Sequence, residues 1–201
     1  MVPTDADGDG DDEVVRLRPA LVREADRLAL LQARARRATT MPPGVHDLPA
    51  LSAQLAERMA HDETWVAEAH GDVVGYVRFT HAWLDDLYVD PAWGRSGIGS
   101  ALLDLVKSRR PDGFGLWVFE ENAGARAFYA QHGLLELETT DGSATEERCP
   151  DVRTVWPGSD PHRHLGALLD DVEAQLDDLR VRRAALETAL ARLDGPVDTR
   201  G

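Results

Sequence analysis

The sequence predicts an α/β fold: a mixed sheet flanked by helices, with one long extra helix toward the C-terminus. Three observations carry this. Short apolar runs, most of them with strand-like alternation, lie at 64–69, 73–80, 83–89 and 114–119 and are interleaved with runs of helical spacing. The connections hold turn-forming residues, among them His70-Gly71-Asp72 and Asp90-Pro91. Beyond Trp156 the pattern changes to apolar residues spaced alternately by three and four. Elements interleaved in this order pack as layers around one core.

The first strand is expected over 14–18, alternating around Leu17 and ending at Pro19. A helix over 21–37 places Leu21, Ala25, Leu28 and Leu31 on one face. The loop Thr39-Thr40-Met41-Pro42-Pro43-Gly44 breaks regular structure. Asp47 caps a second helix with Pro49 in its first turn and Leu48, Leu51, Leu55 and Met59 as its buried stripe. Strands over 64–69 and 73–80 form a hairpin through His70-Gly71-Asp72, and a further strand over 83–89 ends before Pro91. A helix over 97–110 buries Ile98, Ala101, Leu102, Leu105 and Val106. The almost continuous apolar run 114–119 reads as a central, buried strand. A helix over 122–132 follows, with Gly133 as its C′ residue, then strands over 134–140 and 153–156 around a polar loop at 141–150.

Acidic residues outnumber basic ones 36 to 22, giving a net charge of −14 over 201 residues. That balance argues against nucleic acid and anionic membrane as partners and favours cationic ligands such as amines. Residues 1–13 hold six acids and no base and read as a disordered acidic tail. Asp5, Asp7, Asp9 and Gly10 imitate the start of a calcium loop, but its twelfth position is Arg16 where a bidentate glutamate is needed, so no metal is expected. His162 and His164 read as exposed polar residues rather than ligands. The single cysteine, Cys149, permits no intrachain disulfide and points to a reducing, cytoplasmic setting. Neither a signal peptide nor a membrane span is expected from the apolar runs.

The chemistry-bearing motif is Gly94-Arg95-Ser96-Gly97-Ile98-Gly99-Ser100, between a strand and a helix. Its glycines let backbone amides approach a ligand at a helix N-terminus, where the dipole favours an anion, and Arg95 adds a charged donor. A pyrophosphate fits that arrangement; a tight structural turn is the plainer alternative. A Walker loop is excluded because there is no lysine, and the dinucleotide fingerprint fails because its third glycine falls on Leu102.

A second motif, Asn122-Ala123-Gly124-Ala125-Arg126-Ala127-Phe128-Tyr129 followed by Gln131-His132-Gly133-Leu134, decides between these readings. Together the two motifs resemble the GNAT superfamily of N-acetyltransferases, over residues ~14–156. The resemblance implies a mixed, mostly antiparallel sheet and acetyl-CoA as acyl donor. It implies that the pantetheine arm pairs with Leu87, Tyr88 and Val89 in a slot between two splayed strands. The pyrophosphate would meet Arg95, Ser96, Gly97, Ile98, Gly99 and Ser100, with Asn122 and Phe128 contacting the cofactor. Tyr129 takes the general-acid position, a role that suits a phenol beside a leaving thiolate. The sequence departs from the family pattern at Gly94, where Gln or Arg is usual, and at Trp83, where many relatives place a glutamate. Asp85, Asp86 and His81 remain candidates for the base, and Met41, His46, His81 and Trp83 for the amine pocket.

A linker at 157–164 separates this domain from an amphipathic helix at 165–194, followed by a tail at 195–201 expected to be disordered. Its seam is Leu165, Leu169, Val172, Leu176, Leu179, Leu186, Leu190 and Leu193, with Arg183 in the remaining heptad position. The segment weakly resembles the first helix of all-helical chorismate mutases, but of the ligand-binding positions only Arg183 matches, so a packing helix, and through it a homodimer, is the expectation. The expected function is acetyl transfer to a small-molecule or peptide primary amine by direct attack. The alternatives are a non-catalytic acyl-CoA-binding or regulatory module, and an interaction protein acting through its helix.

Overall fold

The computed structural model describes residues 15–193; the acidic segment 1–13, Val14 and the 194–201 tail lie outside the described residues. The order is β1 (Arg16–Pro19), a 3-10 turn (Val22–Glu24), α1 (Ala25–Arg37), α2 (Leu48–Met59), β2 (Glu63–Ala69), β3 (Asp72–Phe79), β4 (Leu84–Val89), a second 3-10 turn (Pro91–Trp93), α3 (Ile98–Arg109), β5 (Phe114–Phe119), α4 (Ala123–Gln131), β6 (Leu135–Thr140), β7 (Asp151–Trp156) and α5 (Pro161–Leu193). The chain divides into two compact units between Ser159 and Asp160.

The first unit holds two antiparallel sheets, ordered β1-β2-β3-β4 and β5-β7-β6. One parallel bridge, Trp83 to Gly115, joins them. The Gly115 amide donates to the Ala82 carbonyl at 2.8 Å, which fixes where β4 and β5 meet. The expectation of a central β5 is corrected here: β5 is an edge strand of its own sheet, and Trp117 is exposed. Its apolar run reflects cover on its other face and the walls of a cleft, not ladder partners on both sides.

β3 is the spine. Apart from Asp72 it is buried throughout, because helices cover both faces. Ile98, Leu102, Leu103 and Val106 of α3 pack with Val74, Val77 and Phe79 on one side. Leu28, Leu31 and Leu55 of α1 and α2 pack with Val66 and Tyr76 on the other. Gly75 allows α3 to lie directly on the strand: a Cβ there would stand 3.0 Å from the Ile98 side chain. The Tyr76 hydroxyl donates to Gln32 at 2.7 Å, so the buried phenol is satisfied.

Local chemistry sets the helix starts. The Asp47 carboxylate accepts from the Ala50 amide at 2.9 Å, with Pro49 in the first turn. Asn122 caps α4 by accepting from the Ala125 amide at 3.2 Å. Three readings of buried stripes change. The helix expected from Leu21 begins at Ala25 after the 3-10 turn, and Leu21 is exposed. Leu48 is 41% exposed because it sits in the outward first turn of α2. In α3 Ala101 is exposed, while Leu103, two positions on, is buried. The second unit begins earlier than expected, with Pro161 opening α5 and Asp160 accepting from the Arg163 amide at 3.1 Å. No helix among the described residues is long and apolar enough to cross a membrane.

Candidate functional site

A cavity of about 1000 Å³ lies where β4 and β5 part. Leu87, Tyr88 and Val89 line one wall, and Trp117, Val118, Phe119 and Asn122 the other. β4 is the outer strand of its sheet and pairs with β3 through the opposite edge. Beyond the single bridge at Trp83 its second edge is therefore open, a row of main-chain groups facing a slot.

At one end of the cavity stand Gly94, Arg95, Gly97, Ile98, Gly99 and Ser100. Arg95 has φ 65° and Gly97, the α3 N-cap, φ 85°. Turned backbone of this kind gathers amides, and Gly97 supplies no side chain to cap them. The first turn of α3 thus offers donors and a positive dipole end to an anion. Ser96 departs from expectation. Its amide and hydroxyl both donate to the Trp93 carbonyl, at 3.3 and 2.7 Å, and it does not line the cavity.

Sequence reasoning missed the brace behind this cradle. Nδ1 of His132 lies 2.8 Å from the Phe128 carbonyl, which only accepts, so that nitrogen carries a proton. Nε2 lies 3.0 Å from the Ser100 hydroxyl. The Lys107 ammonium donates to the His132 carbonyl at 2.6 Å. The end of α4 is thereby tied to α3. The Phe128 ring lies 3.6 Å from where a Cβ on Gly99 would be.

Tyr129 lies on α4, only 9% exposed and edge-on to Phe128 at 5.3 Å between centroids. It lines the cavity, and its hydroxyl has no protein hydrogen-bond partner among the described residues. Burial, helped by Tyr88 and Asp86, pushes its pKa well above that of an ordinary phenol. The hydroxyl is therefore protonated at neutral pH and free to donate. Tyr88 is pushed up to about 12, again chiefly by burial.

Asp85 and Asp86 also line the cavity, and behind them stands Arg78, which is 3% exposed. Its guanidinium donates to Asp86 at 2.6 Å and to Asp62 at 2.5 Å, and Asp85 lies 3.6 Å away. Three carboxylates gather on Arg78, and Arg58 lines the cavity and acts on Asp85 as well, so these five groups keep an excess of one negative charge. Asp86 is locked onto Arg78, whereas Asp85 retains free acceptor capacity. Burial, opposed by Arg78 and assisted by Asp86 and Asp62, raises the Asp85 pKa above that of an ordinary aspartate. An arginine in the apolar run Val73–Phe79 was the available signal for this cluster.

Two loops also line the cavity. Met41, Val45 and His46 come from the α1–α2 connection, and Glu146 and Glu147 from the β6–β7 loop. Arg36 binds Glu147 at 3.0 Å, and His46 meets Glu146 at 2.9 Å. The two glutamates gave no sequence signal, because only the fold carries their loop across the cleft. His81 and Trp83, expected at the pocket, do not line it. His81 is exposed, and Trp83 stacks on Trp117 at 6.4 Å between centroids. The β3–β4 register shifts between Arg78 and Phe79, and Trp83, just before β4, bridges to Gly115 of β5.

Residues 60–133, which include the glycine loop and the α4 motif, match the family model of the acetyltransferase (GNAT) domain. Over those residues the chain is similar to a GNAT acetyltransferase domain. Two curated proteins are similar to part of the chain. This chain is 35% identical over 83 residues to the uncharacterized N-acetyltransferase YafP of Escherichia coli, covering 41% of this chain and 52% of that protein. It is 34% identical over 100 residues to the peptidyl-lysine N-acetyltransferase YiaC of Escherichia coli, covering 49% of this chain and 66% of that protein. The matches thus span about half to two thirds of those proteins. Among solved structures, the PaiA N-acetyltransferase of Thermoplasma acidophilum in complex with coenzyme A superposes with a TM-score of 0.58 at 17% identity. That superposition covers 72% of this chain and 99% of PaiA and shows a shared fold.

Proposed function

We propose that the chain is an acetyl-CoA-dependent N-acetyltransferase acting on a cationic primary amine, of a small molecule or a peptide, by direct attack. The observation that carries this is Tyr129: a buried, neutral phenol whose hydroxyl has no protein hydrogen-bond partner among the described residues, lining the same cavity as an uncapped helix N-terminus and the carboxylates of Asp85 and Asp86.

The chain's groups fit the donor. The α3 amides of Ile98, Gly99 and Ser100, with Arg95, would hold its pyrophosphate. The open edge of β4 at Leu87, Tyr88 and Val89 offers main-chain partners to an amide-bearing arm. Asn122 and Phe128 line the same slot. Bound there, acetyl-CoA supplies a thioester whose acyl carbon a neutral amine attacks. Tyr129 holds its proton at Oη, ready for the thiolate side, a type of help worth about 10²–10⁴-fold.

The acidic corner performs two tasks in this reading. It attracts the ammonium form of the substrate. Asp85, with its raised pKa and spare oxygen, then accepts the proton that must leave before attack. Asp86 and His81 are poorer bases, the first held by Arg78 and the second outside the cavity. The lysine side chain acted on by YiaC belongs to the same chemical class. Incubation with acetyl-CoA and a panel of amines and lysine peptides, read by mass spectrometry, tests the proposal. An acetylated amine supports it. Cofactor binding without transfer to any amine would favour a non-catalytic binding module.

A further inference from the structure

Among the described residues the second unit is one 33-residue helix, about 50 Å long. Leu169, Val172, Leu176, Leu179, Leu186 and Leu190 are exposed along it. Their spacing, with Leu165 and Arg183, alternates four and three without a break. That repeat makes one straight seam, which a second helix covers knobs into holes. What covers it is written in the charges. From Asp170 to Asp178 the helix has five acids and no base. From Arg180 to Leu190 it has three arginines and one acid. A helix acidic in one half and basic in the other is complementary to its own reverse.

We infer that α5 joins two copies of this chain as an antiparallel coiled coil. In that alignment Leu176 meets Leu179 of the second copy, Leu169 meets Leu186, and Leu165 meets Leu190. Arg183 then faces Val172 of the second copy, beside its Glu173. Glu173 and Arg180 occupy flanking heptad positions and meet across the seam twice, once on each side of the two-fold axis. The parallel alternative sets Arg183 against its own copy in the seam, two buried like charges. It also sets the acidic half against the acidic half. Within a single helix Arg180 bonds Asp177 and Arg182 bonds Asp178, so the half-way point is already arranged with acid on one side and base on the other.

The test is self-association of the full chain by light scattering and sedimentation. The expected result is a dimer at tens of micromolar. Glu173→Arg or Arg180→Glu alone should weaken the dimer by about 5- to 10-fold, since each reverses two symmetric pairs. The swapped double variant Glu173→Arg/Arg180→Glu should return to within about 2-fold of the wild-type constant. Leu176→Glu, in the middle of the seam, should give a monomer with unchanged melting of the first unit. A monomeric wild type, a larger assembly, or a swap as weak as its single variants would each overturn the inference.

Discussion

The Trp83 indole lies over Gly115 so closely that a Cβ on the glycine would stand 2.8 Å from it. These two residues also form the one bridge between the sheets. The apex of the cleft is therefore a contact between a large ring and a residue with no side chain. Trp117 stacks on the same indole, and Arg153 covers it at 5.6 Å.

Gly115→Ala should cost about 1–3 kcal/mol, as overpacking does in a well-filled site. Thermal unfolding reads this directly. Trp83→Leu should recover part of the loss in the alanine background, because it frees the space that the methyl group needs. Equal melting of wild type and Gly115→Ala would show that the apex is loose.

Tyr129→Phe should lower kcat by about 10²-fold or more and leave acetyl-CoA affinity within about 2-fold. The ring keeps its place against Phe128 and only the proton donor is lost. Steady-state kinetics with calorimetry separate the two effects. Wild-type turnover would reduce Tyr129 to a packing residue.

Asp85 and Asp86 should differ in kind. The raised Asp85 pKa means that its carboxyl keeps a proton to higher pH than an ordinary aspartate, so activity should rise as pH climbs through that value. Asp85→Asn should remove this acid limb and lower kcat/KM. Asp86→Asn should instead act on stability, by about 1.5–3 kcal/mol, because it removes a charged partner of buried Arg78. A pH–rate profile and a melting curve for each variant make the comparison.

Acetyl-CoA should raise the melting temperature, since a ligand at 100 times its Kd stabilises the fold by about 2.7 kcal/mol. Gly97→Ala should shrink that shift. Nothing stands within 4 Å of a Cβ there, but φ of 85° strains any other residue and disturbs the amides it holds in place. Calorimetric titration of the variant checks this.

Much was legible in the chain because the signals are local. The Gly94–Gly99 loop is turn chemistry at a helix start, and Asn122, Asp47 and Gly133 act within a few residues of themselves. Element order followed from periodicity, and so did the seam of α5. The errors came where burial depends on what crosses from elsewhere. Leu48 fits a helical stripe, yet nothing packs over that turn, and β5 has a central strand's composition at a sheet edge.

The sequence by itself determined the fold class, through the order of its elements, and the glycine-rich turn at the start of α3, through residues within one segment, while Tyr129 as a candidate proton donor was read from the resemblance that two motifs carry. Tertiary structure alone decided the acidic part of the cavity. Glu147 meets Arg36 and Arg78 gathers Asp62, Asp85 and Asp86 because strand pairing and loop closure bring these groups to a common corner. Which carboxylate stays free there depends on how one guanidinium divides its donors among three neighbours, and no single segment contains that information.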